Sequence, residues 1–95
     1  MGSWVRPDGE YVIEIGKIHP DGKADVAYFN PRPIHVSRSN VSETDGIIEL
    51  FIELRDRGYP GSTYELKYNP EYDVMVGVYF QAVIQQSLDV IFQRK

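Results

Sequence analysis

Apolar and polar residues alternate along most of the chain, in short runs separated by turn-forming residues. Residues 10–18 set Tyr11, Ile13 and Ile15 on one side and Glu10 and Glu14 on the other. Residues 47–55 set Ile48, Leu50, Ile52 and Leu54 against Glu49, Glu53 and Arg55, with Phe51 on the polar side. Residues 62–68 alternate Tyr64, Leu66 and Tyr68 against Thr63, Glu65 and Lys67, and residues 74–82 group Val74, Val76, Val78 and Phe80. A period of two over this many runs is the pattern of half-buried strands. Shorter candidates lie at 24–29, 34–38 and 88–93, with a stub at 3–6.

The punctuation agrees. Breakers fall at Pro7-Asp8-Gly9, Pro20-Asp21-Gly22, Asn30-Pro31-Arg32-Pro33, Asp45-Gly46, Gly58-Tyr59-Pro60-Gly61 and Asn69-Pro70. Glycine supplies positive φ, proline fixes φ and removes a donor, and Asn or Asp folds back on its own backbone. The intervening runs are mostly 6 to 10 residues, strand length and short for helices. One stretch is ambiguous: Phe80, Val83, Ile84, Leu88, Ile91 and Phe92 also fit helical spacing. A helix over 81–94 competes there with a hairpin turning near Gln85-Gln86-Ser87. The missing N-cap and the frequency of Val and Ile favour the hairpin.

Seven or eight short antiparallel strands in one 95-residue domain predict an all-β fold, a single closed antiparallel meander barrel. Closure covers the apolar face and removes edges that invite aggregation. About eight strands enclose an interior that side chains fill, or that holds one small ligand.

Charge and composition narrow the partners. Ten basic against fourteen acidic residues give a net charge of −4, with no basic run, which argues against nucleic acid. With no cysteine there is no disulfide and no thiolate site, and no motif implies a cofactor. His19 stands in a Pro-Asp-Gly turn without ligand partners, so no metal site is expected. No apolar run approaches the roughly 20 residues of a bilayer span. The chain as given reads as cytoplasmic; Met1-Gly2-Ser3 has the form of an expression scar, which leaves a periplasmic origin open if a leader was removed.

Three constellations carry candidate chemistry. Trp4 near one terminus and Arg94 near the other meet if the first and last strands pair, stacking guanidinium on indole in an architectural role. The stretch 28–36 holds Asn30, Arg32 and His35 around two prolines, with His35 the more plausible acid–base group. The stretch 53–64 ends in a Tyr-Pro-Gly-Ser turn and offers Arg55, Tyr59, Ser62 and Tyr64 to a ligand. Each also has a plain structural account, in turn chemistry or internal ion pairs. A small-molecule binding barrel without catalysis is the leading expectation. A homodimeric interaction module comes second, and a small acid–base enzyme using His35 third.

The Gly2-Ser3-Trp4 entry with Arg94 resembles the Gly-x-Trp and terminal Arg or Lys of lipocalin and avidin-like barrels. The stretches 8–15, 28–36, 53–64 and 77–82 together resemble a family of small uncharacterised bacterial proteins, some secreted or periplasmic, with similar domains among mobile gene-cassette products. The resemblance implies a calycin-like barrel whose last strands are 77–82 and 88–94. It implies no catalytic residues.

Overall fold

The computed structural model describes residues 2–95; Met1, and with it part of the Met1-Gly2-Ser3 sequence, lies outside them. Nine strands follow one another: β1 (Gly2–Val5), β2 (Val12–Ile18), β3 (Ala24–Asn30), β4 (Arg32–Ile34), β5 (Val36–Thr44), β6 (Ile47–Asp56), β7 (Tyr59–Asn69), β8 (Val74–Gln81) and β9 (Gln86–Arg94). They form one antiparallel sheet in the order β4-β3-β2-β1-β9-β8-β7-β6-β5. The first and last strands pair, Trp4 opposite Arg94, in the middle of that order.

The sheet curls into a nearly closed barrel whose edges, β4 and β5, are consecutive in the chain. The seam is stitched locally. Val41 N–H donates to Gly22 O at 2.7 Å, and Ser39 Oγ donates to Ala24 O at 2.6 Å. Lys23 and Asn40 form a single bridge.

The alternation places its apolar side inward except in β8, where Met75 and Tyr79 are buried and the grouped Val76 and Val78 face out, the reverse of the expected face. Ile13, Tyr28, Leu50, Ile52, Leu54, Tyr64, Leu66 and Phe92 are buried together, so the middle of the barrel is filled by side chains. Asp45 and Gly46 both take positive φ (53° and 79°), which matches the strand twist at the β5–β6 hairpin. Gly77 serves a different need. A Cβ there would meet Glu65 O at 1.9 Å, so only glycine lets β8 coil this closely onto β7.

Two further sequence expectations need correction. Among the described residues the strand count is nine, because the run at 34–38 is split by His35 into short β4 and a longer, polar β5 reaching Thr44. The C-terminal segment is a hairpin, as expected, with its turn at 82–85, Gln85 taking φ 52°, so that the turn overlaps the expected one only at Gln85. Ladder pairing from Val74↔Gln93 to Gln81↔Gln86 claims the residues a helix would have used.

Candidate functional site

The barrel has two mouths, and they differ in chemistry. At one end the chain leaves β1 through Arg6, whose position two residues after Trp4 keeps it on the inward face. Arg6 is 4% exposed. Its Nε and Nη2 donate to the Asp8 carboxylate at 2.9 and 2.8 Å, and its Nη1 donates to Tyr64 OH at 2.8 Å. The guanidinium lies 4.1 Å from the Tyr11 ring centre and 5.7 Å from that of Tyr79. Burial alone would depress its pKa, but the Asp8 and Tyr64 bonds hold it above its ordinary value.

Below Arg6, Tyr64 OH meets Tyr28 OH at 2.8 Å, and the Tyr64 ring stacks on Tyr79 at 4.3 Å. Burial pushes both Tyr28 and Tyr64 well above the usual phenol pKa. The result is a polar plug in which each group named has a partner.

Of the sequence-nominated residues, Asn30, Tyr59, Ser62 and Tyr64 come together at this end, whereas Trp4 and Arg94 meet at the other. The Asn30 amide donates to Tyr59 OH, and with Ser62 they border an open depression of about 400 Å³ beneath Val83 and Ile84. Ser62 Oγ accepts from Ala82 N at 3.1 Å. Tyr64 is fully buried beneath them. Arg32 donates to Arg57 O at 3.1 Å and pairs with Asp56 at 3.5 Å. His35 is exposed and bonds Asp56 through its backbone N–H at 2.7 Å. That bond, with a second from Arg57 N–H, holds the Asp56 carboxyl below the usual range. Arg55 lies apart on the outer wall, 3.4 Å from Glu53. The polar groups of this rim largely satisfy one another.

The opposite mouth is apolar. A cavity of about 220 Å³ is walled by Trp4, Ile15, Val41, Leu50, Tyr68 and Met75, with Ile48 at its rim. Its polar fringe is a clamp. Arg94 Nε and Nη2 donate to the Asp73 carboxylate at 2.7 and 3.0 Å, and Tyr68 OH donates to the same group at 2.7 Å. Those bonds, Arg94 first and Tyr68 second, hold the Asp73 pKa down at about 2. Arg94 also lies over Trp4, 4.4 Å from the ring centre, while Tyr68 packs edge-on at 5.9 Å. Gly2, at φ 86°, leaves room for Arg94, since a Cβ there would sit 3.1 Å from its Nη1.

A larger hollow of about 1070 Å³ lies outside the seam, lined in part by Glu14, Asp25, Ala27, Ser37 and Arg38. It is an open saddle at the gap between β3 and β5, where Ile15, Val26 and Val36 stand beside those polar groups. It lacks the enclosed apolar wall that small ligands favour.

Sequence reasoning missed Arg6 and the apolar mouth. Arg6 had a signal, since period two from Trp4 turns it inward. Of the mouth residues, Ile15, Leu50 and Tyr68 stood on expected apolar faces, whereas Met75 fell opposite the grouping of Val74, Val76 and Val78, and Val41 fell in no expected strand; which end of the barrel they occupy depends on strand register, which alternation does not encode.

Among the described residues, no helix is long and apolar enough to cross a membrane. Comparison with family models, with curated proteins and with solved structures yields no match.

Proposed function

We propose that this protein is a small-molecule binding barrel of calycin-like type, and that its ligand enters the apolar mouth at Trp4. The carrying observation is the cavity of about 220 Å³ walled by Trp4, Ile15, Val41, Leu50 and Met75. Concave apolar walls with few placed polar groups are the usual form of a ligand site. The calycin-like reading is supported by the meander order and by Gly2, Trp4 and Arg94 meeting at one point. Binding at the tyrosine mouth is less favoured, because a ligand there would have to displace bonds such as Asn30–Tyr59.

Toluene is a suitable probe, since dry apolar cavities of comparable size take up small aromatic molecules. Saturable change in the fluorescence of Trp4, the single tryptophan, with a rise in Tm by mass action, is the expected result. Ile48→Phe, narrowing the rim, should weaken both responses. A response that is linear in toluene and unchanged in the variant would contradict the reading.

A second reading, a homodimer, is favoured by the outer face of β8 and β9. Val76 lies opposite Ile91 there, beside Val78, and all three are exposed. Light scattering at micromolar concentration should then report twice the chain mass, reverting to one chain in Val78→Lys. A strictly monomeric protein would remove it.

A further inference from the structure

We infer that the outer wall of β7, β8 and β9 joins two copies of this chain with their strands antiparallel, Lys67 of each copy lying on Glu65 of the other. The inference rests on the homodimer reading above and gives it a geometry. Residues directly opposite in an antiparallel ladder point to one side of the sheet. Two neighbouring rows therefore stand on this wall: Lys67, Val76 and Ile91 in one, Glu65, Val78 and Asp89 in the next. The intervening row holds Leu66, Gly77 and Val90, and the burial of Leu66 and Val90 fixes the other two rows as outward. Val76, Val78 and Ile91 are 40, 37 and 39% exposed, with the three charged residues bordering them. Neither Glu65 nor Lys67 has an ion-pair partner among the described residues. An apolar stripe edged by uncommitted charges of both signs can complement itself.

Two identical faces meet about a two-fold axis, and sheets in aligned packing keep their strands within about 30° of one another. Aligned packing leaves two arrangements. An axis running along β8 sets each row on its own copy, with Glu65 on Asp89 of the second copy and Lys67 on its Ile91. Like charges then meet, and each lysine is left without a counter-charge. An axis crossing β8 at Gly77 exchanges the rows. Val76 then packs on Val78 of the second copy, and Lys67 meets Glu65 twice over. The cost is Asp89 opposite Ile91. A barrel wall is convex, so the contact stays narrow, and the charges at its border decide the register. Complementary charge selects the antiparallel arrangement.

Exchanging the two charges tests the pairing, with the dimer dissociation constant read by analytical ultracentrifugation. The parent chain should dimerise at micromolar concentration. Lys67→Glu and Glu65→Lys should each weaken the dimer about thirtyfold, because two exposed pairs pass from attraction to repulsion. Mixing the two variants should restore association as a heterodimer, since each then supplies the charge the other lacks. The double variant, Lys67→Glu with Glu65→Lys, should dimerise with itself. Both side chains are exposed, so the fold should survive, and a near-ultraviolet circular dichroism spectrum matching that of the parent verifies it. A parent dimer indifferent to both single variants overturns the antiparallel pairing and leaves the homodimer reading standing. So do weakened variants that stay apart when mixed. A parent chain that remains monomeric at micromolar concentration overturns both the pairing and the reading beneath it.

Discussion

The two mouths of this barrel are closed by an arginine resting on an aromatic ring, yet the two arginines do opposite things. Arg6 is drawn inside, 4% exposed, and spends its donors on Asp8 and Tyr64 over a stack of tyrosines. Arg94 stays at the surface, 46% exposed as a side chain, and with Asp73 frames an apolar hollow. The first mouth is filled with mutually satisfied polar groups; the second encloses apolar volume, with the Asp73 clamp as its polar fringe. A polar rim is therefore a poor guide to a binding site when its groups bond each other. What marks a site is concave apolar volume that the protein's own side chains leave unfilled.

The contrast is open to attack at several points. The largest effect should come from Tyr64→Ala, which empties the centre of the plug and strands Arg6. A loss of about 4 kcal/mol in urea denaturation is expected, a large share of a typical domain's stability. Milder is Tyr64→Phe, which removes only the hydroxyl between Arg6 and Tyr28. It should cost about 2 kcal/mol, because two buried polar groups, the Arg6 N–H and the Tyr28 hydroxyl, lose their partner. At the other mouth Trp4→Phe should change stability by no more than about 1 kcal/mol, since lost packing is offset by removal of the indole N–H, a buried donor without a partner among the described residues. A Trp4→Phe loss as large as that of Tyr64→Phe would erase the distinction drawn between the ends.

The smallest effects are those of pH, and they separate the mouths by sign. Burial raises the folded pKa of Tyr28 and Tyr64 above the unfolded value near 10, with the neighbouring phenol adding to it at Tyr28. Their contribution is complete below about pH 10 and is lost as pH climbs beyond it. The alkaline decline in Tm should be shallower in Tyr64→Phe. Asp73 behaves in reverse. Its folded pKa of about 2, set by Arg94 and Tyr68, lies below the ordinary value of 3.8, so its contribution is present above about pH 4 and fades towards pH 2. Trp4 fluorescence should therefore shift between pH 4 and pH 2 as the clamp loosens, and Asp73→Asn should abolish that shift. Asp8, also lowered chiefly by its bond to Arg6, adds an acid response at the tyrosine mouth, which Trp4 emission should register weakly.

Much of the wall was legible from the residues. The alternation at Ile48, Leu50, Ile52 and Leu54 faces the core from Leu50 inward, and the Asp45-Gly46 turn leads into the strand expected after it. The C-terminal ambiguity resolved through chemistry already present in the sequence, β-branched residues without a cap. β5 was only partly legible, because Ser39 faces the seam and bonds a backbone carbonyl instead of packing, so the apolar signal lapses. Its extension to Thr44 comes from pairing with β6, a contact between strands and not a local preference. Of the nominated stretches, Asn30, Tyr59 and Ser62 border one depression, while Arg55 lies apart on the outer wall. Their satisfaction by one another, Asn30 with Tyr59 and Arg32 with Asp56, needed coordinates to see.

The most direct measurement is a map of methyl resonances during titration with toluene. The account predicts saturable shifts at Ile15, Val41, Ile48 and Met75, with Val83 and Ile84 at the tyrosine mouth unmoved. Saturable shifts confined to Val83 and Ile84 would place the ligand at the wrong end and contradict it.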